Sequence, residues 1–385
     1  MKMSYDVIVL GLGGMGSATL YHLAKRGARV CGVEQFGIAH DMGSSHGSLR
    51  MIRKAYFEHP SYIPLVERAY TLWRELESES GTQLLTQSGL ILSGAPDCAL
   101  VRGLESCYAQ HAIPHERIDA AEAMRRYPQF RLPDDHLVYW DPVGGYLRVE
   151  ASVETHVAMA QRFGADVRIH EDVQTWRADD DGVTLTTTKG ELRAAKLVIT
   201  AGAWTKAAFA ELQVPLRILR KVQLWYDSPN IADFRAGRMP GFYVETPAGG
   251  FYGFPAVGED GLKVAEHTGG EDVDDPDELD RALHRRDEEK VLAFLAETFP
   301  TLAPTRKRFS VCMYSMSSDD HFIIDVHPRY RNVVIAGGFS GHGFKFAPVV
   351  GEVLADLATQ GTTTLPVGFL GVDRFVGEEG PARHG

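Results

Sequence analysis

The stretch YDVIVLGLGGMGSATLYHLAKRG, residues 5–27, decides the fold of the chain. It begins with a mostly apolar run of strand length, continues with glycines in the spacing G-x-G-x-x-G, and then has the composition of a helix over residues 17–26. A second apolar run, residues 29–33, ends at Glu34. This order predicts a strand, a glycine-rich turn, a helix and a parallel strand.

Three glycines of this stretch match the fingerprint of a dinucleotide-binding βαβ unit. In that unit Gly11 would permit the tight turn, Gly13 would let the backbone approach a pyrophosphate, and Gly16 would let the helix pack close to the strand. The helix N-terminus would face the phosphates, and Glu34 would accept hydrogen bonds from ribose hydroxyls. The fingerprint alone serves FAD and NAD alike.

Composition and charge narrow the class of protein. The 385 residues are 44% hydrophobic and 24% charged, which is typical of a globular enzyme with two or three domains. The formal net charge of −11 argues against a nucleic acid partner, because a phosphate backbone would repel it. No apolar run reaches about 18 residues, so we expect a cytoplasmic protein without a membrane segment.

A second glycine-rich loop favours FAD over NAD. Residues 332–357, NVVIAGGFSGHGFKFAPVVGEVLADL, predict a strand, a glycine-rich loop and a helix. Two separated loops of this kind suit a cofactor that lies extended through the protein, as FAD does. An NAD-dependent dehydrogenase and a flavin-binding module without enzymatic activity remain alternatives at this point.

The predicted architecture is α/β, with a Rossmann-like FAD-binding domain built from discontinuous segments. An inserted α+β substrate domain would contain an antiparallel sheet, because residues 218–267 alternate in the manner of antiparallel strands, and a long amphipathic helix is expected over 275–298. The predicted FAD-binding segments are 1–85, 148–215 and 312–385. The predicted substrate-binding segments are 86–147 and 216–311.

Cys312 lies in the stretch SVCMYSMSSDDHF, residues 310–322, at the end of a strand-like run. A strand cysteine is most often packed as a small hydrophobic residue. No second cysteine or paired histidine lies at ligand spacing, which argues against a metal site, and nothing in the sequence nominates a disulfide partner.

Three stretches give the chain a resemblance to a known family. They are GSSHGSLRMIRKAYFEHPSYIPLVERAYTLWREL (43–76), VCMYSMSSDDHFIIDVHP (311–328) and VIAGGFSGHGFKFAPVVGEVL (334–354). From Tyr5 to about Phe375 the chain resembles the monomeric sarcosine oxidase family, which includes N-methyltryptophan oxidases and sarcosine/pipecolate oxidases.

This resemblance implies a monomeric FAD-dependent amine oxidase that acts on the CH–NH bond of a secondary amino acid. Sarcosine is the first expected substrate, and L-pipecolate and N-methyltryptophan are the alternatives. Hydride transfer to flavin N5 and reoxidation by dioxygen would give glycine, formaldehyde and hydrogen peroxide.

The resemblance also implies roles for individual residues. Cys312 matches the cysteine that carries FAD through an 8α-S-cysteinyl bond. Arg53 and Lys345 match the pair that binds the substrate carboxylate, and Lys263 matches a lysine beside the flavin that assists oxygen reduction.

Further residues are expected around the substrate and the flavin. His267, Tyr252 and Tyr314 match residues that surround the substrate amine. Tyr243 departs from the family pattern, since the sarcosine-oxidising members have a smaller or more flexible side chain there. Arg50 matches a basic residue beside the flavin ring. The remaining expected cofactor contacts are Ser44, Ser45, His46, Gly341 and Gly343.

Overall fold

The computed structural model describes residues 4–205, 212 and 214–375. The predicted segments therefore include residues outside the described part of the chain, namely 1–3, 206–211, 213 and 376–385. The predicted strand, turn, helix and strand at the start of the chain are confirmed, and the helix begins at Gly14, within the glycine-rich turn.

The bounds of the described elements are as follows. The α-helices are α1 (Gly14–Lys25), α2 (Ile63–Ser80), α3 (Ala99–Gln110), α4 (Ala120–Arg126), α5 (Val149–Arg162), α6 (Arg285–Thr298) and α7 (Ala347–Gln360). The strands are β1 (Tyr5–Leu10), β2 (Val30–Val33), β3 (Leu49–Ile52), β4 (Leu85–Thr86), β5 (Leu90–Gly94), β6 (Glu116–Asp119), β7 (Leu137–Asp141), β8 (Gly145–Arg148), β9 (Asp166–Arg168), β10 (Val173–Asp179), β11 (Gly182–Thr187), β12 (Gly190–Ile199), β13 (Leu216–Asp227), β14 (Gly241–Thr246), β15 (Gly249–Phe254), β16 (Leu262–Glu266), β17 (Glu271–Val273), β18 (Thr305–Ser317), β19 (Ile323–Val326) and β20 (Val333–Gly337).

An eight-stranded sheet contains the glycine-rich turn. Its order is β10–β11–β12–β1–β2–β9, with β20 beside β12 and β19 beside β20. The five strands β20, β12, β1, β2 and β9 run parallel to one another. Helix α1 lies close to the end of β1, because a Cβ atom on Gly16 would be 1.8 Å from the carbonyl oxygen of Gly11. Only glycine allows this approach, which brings the start of α1 to the carboxyl ends of the parallel strands.

A nine-stranded, mostly antiparallel sheet forms the other half of the molecule. Its order is β17–β13–β16–β15–β14–β5–β7–β6, with β18 beside β13. Helix α6 covers one face, where the rings of Phe251 and Phe294 stack with centroids 4.5 Å apart. The opposite face carries Tyr243, Tyr252 and Lys263, which alternate along their strands with residues that face α6.

The helix predicted over 275–298 is confirmed for residues 285–298, but its predicted start is wrong. The helix α6 begins at Arg285, and only a short 3₁₀ turn, Pro276–Glu278, precedes it. The intervening backbone is bound elsewhere, since the guanidinium of Arg220 donates to the carbonyl oxygens of Asp280 and Ala282 at 2.8 and 2.5 Å. A tertiary contact has replaced the bonds that a longer helix would need.

The predicted division into domains stays a prediction. Its boundary at Cys312 falls inside β18, which belongs entirely to the nine-stranded sheet. Among the described residues, no helix combines the length and the apolar composition that a bilayer crossing requires.

Candidate active site

One cavity of about 700 Å³ gathers most of the residues that the sequence singled out. It lies at the carboxyl ends of β1, β2 and β12, where open α/β sheets bind their ligands, and extends to the face of the nine-stranded sheet. The predicted residues that line it are Gly11, Gly13, Glu34, Ser44, Ser45, Arg50, Arg53, Tyr252, His267, Tyr314, Gly341, Gly343 and Lys345. The predicted residues that do not line it are Gly16, His46, Lys263 and Cys312.

The first glycine-rich turn is held by polar side chains. The carboxylate of Glu34 accepts hydrogen bonds from the backbone N–H groups of Leu12, at 2.8 Å, and Phe36, at 3.0 Å. Burial raises the pKa of Glu34, but hydrogen bonds from His40 and from these two amides lower it more, so the net pKa lies below its ordinary value. A charged carboxylate therefore faces the cavity beside the turn.

The second glycine-rich loop fits closely against β18. Gly341 has a φ of +77°, and a Cβ atom there would lie 2.3 Å from the ring of Tyr314. The amide of Ser340 donates to the carbonyl oxygen of Ser315 at 2.8 Å. Ser315 is among the residues that line the cavity, and its buried hydroxyl has no hydrogen-bond partner within the protein.

Arg53 and Glu58 form a buried ion pair at the edge of the cavity. The Arg53 side chain is 3% exposed, and one of its terminal nitrogens donates to both oxygens of Glu58, at 2.6 and 2.8 Å. The guanidinium also lies 3.9 Å from the ring centroid of Phe57. Burial raises the pKa of Glu58, but the charges of Arg53, His342 and Lys345 lower it to about 2.

Lys345 places a second cation at the same edge. It is 5% exposed, and its ammonium group donates to the carbonyl oxygen of His342 at 2.7 Å. Burial, followed by the neighbouring charge of Arg53, lowers the pKa of Lys345 to about 7. The Glu58 carboxylate is thus paired with Arg53, while Lys345 donates to a backbone carbonyl, and a protonated Lys345 would give an arriving anion a local excess of positive charge.

Aromatic rings enclose the neighbouring part of the cavity. The ring of His267 lies 5.8 Å from that of Tyr243, 6.3 Å from that of Tyr252 and 5.8 Å from that of Tyr314. Burial, followed by the nearby charge of Lys221, lowers the pKa of His267 to about 3. The histidine is therefore neutral at pH 7, and this enclosure disfavours a charged amine.

Lys263 lies behind the cavity wall. Its ammonium group donates to the carbonyl oxygens of Gly47 and Leu49 at 2.6 and 2.8 Å and lies 5.0 Å from the ring centroid of Trp225. Burial, followed by the charge of Arg50, lowers the pKa of Lys263 well below its ordinary value. Lys263 is thus a buried amine whose charge responds to neighbouring charges.

Cys312 and His46 lie in the same region behind the wall. Cys312 is 2% exposed on β18, and its neighbour Met313, which lines the cavity, accepts a hydrogen bond of 2.6 Å from the Ser44 hydroxyl. His46 contacts the hydroxyl of Ser310 through Nδ1 at 3.1 Å, while its buried Nε2 has no partner. Cys312 is a free thiol.

Arg50 connects the loop 44–49 with the nine-stranded sheet. Its guanidinium lines the cavity and donates to the backbone oxygens of Leu49 and Ser44 and to the side chain of Gln223, each at 3.0 Å. These three bonds hold a permanent positive charge at the wall of the cavity.

Three buried groups at this site were not predicted from the sequence. Glu58 lies five residues after Arg53, within the stretch 43–76 that carries the resemblance. An acidic residue so close in sequence to a predicted buried arginine is a signal from which the ion pair could be predicted. His342 lies in the loop that contains Lys345, and its proximity in sequence was also usable. Lys221 gave no local signal, because its contacts come from distant parts of the chain.

The comparison with known families decides the class of the chain. The family described as FAD dependent oxidoreductase matches residues 6–357. The chain belongs to the FAD-dependent oxidoreductase family. The alternatives of an NAD-dependent dehydrogenase and of a non-enzymatic flavin-binding module are therefore wrong, and the prediction of FAD as the cofactor is confirmed.

Relatives within the FAD-dependent oxidoreductase family are similar to this chain over nearly its full length. The monomeric sarcosine oxidase of Streptomyces avermitilis is 41% identical over 375 residues, which cover 96% of this chain and 97% of that protein. The N-methyl-L-tryptophan oxidase of Salmonella enteritidis PT4 is 35% identical over 375 residues, which cover 97% of this chain and all of that protein. The resemblance predicted from the sequence is confirmed.

Solved structures of similar fold include an amino acid oxidase and an L-proline dehydrogenase. NikD, described as an unusual amino acid oxidase, superposes in its open form with a TM-score of 0.86, is 26% identical, and is matched over 96% of this chain and 98% of its own. The L-proline dehydrogenase from P. horikoshii has a TM-score of 0.85 over 98% of this chain and 99% of its own, at 22% identity, a likeness that concerns the fold alone.

The cavity of this FAD-dependent oxidoreductase fits its cofactor. The glycine-rich turn presents backbone to the cavity with Glu34 beside it, and Gly341 lines the cavity at a point where a Cβ atom would collide with the ring of Tyr314. The unpartnered hydroxyl of Ser315 offers a further hydrogen bond. Among the described residues, no group of three or more histidine, cysteine or acidic side chains is arranged to hold a metal ion.

We expect Glu58→Gln to lower the free energy of unfolding by about 3 kcal/mol at pH 7, because a buried Arg53 would lose its charged partner. The Glu58 pKa is depressed in the folded protein from 4.5 to about 2, so its contribution is complete above the unfolded value and is lost as the pH falls from about 4.5 toward 2. Denaturant unfolding of both proteins at pH 7, 5 and 4 measures this.

Glu122→Gln is the matched control, since Glu122 forms exposed ion pairs with two arginines on helix α4. Its effect on stability should be small. A Glu58→Gln difference from the wild type that is equally large at pH 7 and pH 4 would contradict the assigned charge of Glu58.

Proposed function

We propose that this enzyme oxidises a small secondary amino acid, with sarcosine first, and uses dioxygen as the electron acceptor. The observation that carries this proposal is the pair of buried basic side chains at the edge of the cavity, Arg53, which is paired with Glu58, and Lys345, which donates to a backbone carbonyl. The names of the relatives, monomeric sarcosine oxidase above all, support the same substrate class.

Arg53 and Lys345 would bind the carboxylate of the substrate. A guanidinium presents a planar fork that fits a carboxylate, while an ammonium adds a second charge without a fixed direction. Since the pKa of Lys345 is lowered to about 7, a bound carboxylate would also favour its protonated form. The acid group of the substrate would thereby complete the local charge balance.

The aromatic enclosure would receive the amine. Tyr252, Tyr314 and the neutral ring of His267 surround a part of the cavity where an ammonium ion would lose its hydration. This environment favours the uncharged amine, whose nitrogen lone pair assists departure of a hydride from the neighbouring carbon. When bound, FAD supplies the hydride acceptor and returns the electrons to dioxygen.

Tyr243 favours a small substrate over N-methyltryptophan and L-pipecolate. Its ring lines the cavity 5.4 Å from that of Phe57, which lies against the Arg53 guanidinium. A substrate held by its carboxylate at Arg53 would place its own side chain near these two rings. Pipecolate and N-methyltryptophan remain the second candidates because an N-methyl-L-tryptophan oxidase is among the relatives.

Lys263 would assist the reduction of dioxygen. Superoxide, the first reduction product of dioxygen, is an anion, and a positive charge about 4 Å away would stabilise it by up to roughly 4 kcal/mol at an effective dielectric constant near 20. Burial lowers the pKa of Lys263, and a developing negative charge nearby would raise it again.

Cys312 would carry the flavin through an 8α-S-cysteinyl bond. Its position on β18, next to the cavity-lining Met313 and close to Lys263, supports this assignment. We also propose a monomeric, cytoplasmic protein, a proposal that the name of the sarcosine-oxidising relatives supports for the oligomeric state.

We expect Arg53→Lys to lower kcat/KM for sarcosine by roughly 10- to 100-fold, because the ammonium keeps the charge beside Glu58 but loses the guanidinium fork. Hydrogen peroxide formation in the presence of sarcosine, pipecolate, proline and N-methyltryptophan measures both the substrate preference and this loss. Arg117→Lys, an exposed arginine on β6, is the control. Unchanged sarcosine turnover in Arg53→Lys would contradict the carboxylate assignment.

We expect denatured wild-type protein to remain yellow, and the peptide that contains Cys312 to carry the mass of one FAD. Cys312→Ser should release all of its flavin on denaturation, because serine cannot form the thioether. Cys98→Ser, a half-buried cysteine at the start of α3, should retain the bound flavin. Complete loss of colour from the denatured wild type would refute the covalent link.

We expect Lys263→Met to slow reoxidation of the reduced enzyme by dioxygen, by up to several hundred-fold, since a stabilisation of roughly 4 kcal/mol would be lost. Anaerobic reduction by sarcosine should change much less. Stopped-flow absorbance follows the two half-reactions separately, with Lys196→Met as the control. If Lys263→Met reoxidises at the wild-type rate, Lys263 has no role toward oxygen.

A further inference from the structure

Lys221 is a buried lysine that fills a gap in the nine-stranded sheet. Strand β13 pairs with β16 from Leu224 to Tyr226 and with β17 from Ile218 to Arg220. Between these two ladders the chain leaves β13 after Val264, and residues 267–270, which connect β16 to β17, form a bulge that contains His267. Lys221 lies on β13 opposite this bulge.

The ammonium group of Lys221 replaces the missing ladder bonds. It donates to the carbonyl oxygens of His267, Thr268 and Gly269 at 3.0, 2.8 and 3.0 Å. The side chain is 5% exposed. All three hydrogens of one buried ammonium are therefore used by three consecutive residues, an arrangement that fixes the backbone on this side of the bulge.

The other side of the bulge is held by β15. The amide of His267 donates to the carbonyl oxygen of Gly250 at 2.7 Å, and the amide of Gly250 donates to the hydroxyl of Thr268 at 2.9 Å. Hydrogen bonds to β15 on one side and to Lys221 on the other therefore hold the bulge in place. Without the ammonium, the carbonyl oxygens of His267, Thr268 and Gly269 would lose their shared protein partner, and the bulge would be anchored on one side only.

The same ammonium contacts a second wall of the cavity. It lies 5.2 Å from the ring centroid of Tyr314, on β18, the strand that pairs with β13 on its other side. The Tyr314 hydroxyl is 3.4 Å from Nδ1 of His267. One charged group therefore contacts both the bulge that contains His267 and the ring of Tyr314, two neighbouring residues that line the cavity.

We propose that Lys221 is a positioning residue for amine oxidation, which holds His267 and Tyr314 in the arrangement that orients the bound amino acid. This inference rests on the proposed function of the cavity. Lys221 does not line the cavity itself and acts through the bulge and the tyrosine ring. Small displacements of such walls cost rate because the reacting atoms must be held close to their productive geometry.

The test uses the FAD-loaded enzyme and sarcosine as the probe. We expect Lys221→Met to slow anaerobic bleaching of the flavin by at least about tenfold, because the orienting walls move. Reoxidation by dioxygen should be unchanged, since Lys263 is untouched. Hydrogen exchange of the amides of residues 267–270 should become faster than in the wild type, which reports the loosened bulge directly.

Two further variants serve as a conservative substitution of Lys221 and as a control. Lys221→Gln retains donors at a shorter reach and should show the same split with a smaller effect, and it replaces Lys221→Met if that variant does not retain FAD. Lys307→Met removes an exposed lysine from the neighbouring strand β18 and should match the wild type in every measurement.

Each outcome separates this inference from the proposed function. If sarcosine bleaches the wild type and Lys221→Met at the same rate, Lys221 is not a positioning residue, while the proposed function stands. Equal slowing of both half-reactions would also overturn the inference, because it would indicate general damage. If no secondary amino acid bleaches the flavin of the wild type, the proposed function is wrong, and the proposed role of Lys221 is then wrong as well.

Discussion

The basic side chains of Arg53 and Lys345 and the carboxylate of Glu58 lie together at one edge of the cavity. The balance of their charges determines which ligands the cavity can bind. Arg53 and Glu58 neutralise each other, and Lys345 adds a charge that burial disfavours, as its pKa of about 7 shows. Buried charges are costly without partners, so a ligand that brings one negative charge is favoured there. Beside these charges lie aromatic rings and a neutral histidine, which suit an uncharged amine. The proposed site would therefore select a molecule with an acid at one end and an amine at the other.

The fold brings these groups together from distant parts of the chain. The eight-stranded sheet supplies the glycine-rich turn and Glu34, while the nine-stranded sheet supplies a wall made by neighbouring strands. Register places Lys221 opposite Cys312 and Trp225 opposite both Lys263 and Arg308. A slip of one residue in β13 would turn Lys221 and Trp225 to the other face of the sheet, toward α6, and away from Cys312, Lys263 and Arg308. The proposed oxygen, flavin and positioning residues thus depend on one strand alignment.

Much of this arrangement could be predicted from the sequence. The βαβ unit has a local signature, because its glycines are required by close backbone contacts such as that between Gly16 and Gly11. The start of α6 could not be predicted, since Arg220 binds the preceding backbone from another strand. The position of Lys263 behind the cavity wall could not be predicted either. Alternation along β16 predicts the face of the sheet on which Lys263 lies, but not the carbonyl oxygens to which its ammonium group donates. Lys221 had no signature because its role arises from a gap between two strand pairings.

Binding of the substrate carboxylate by Arg53 and Lys345 is tested most directly by anaerobic titration of the FAD-loaded enzyme with sarcosine and, separately, with dimethylamine. The two molecules share a methylated secondary amine, and only sarcosine has the carboxylate that Arg53 and Lys345 would bind. We expect sarcosine to bleach the flavin absorbance, and dimethylamine at the same concentration to do so far more slowly or not at all. Equal bleaching by both molecules, or bleaching by neither, would contradict this expectation.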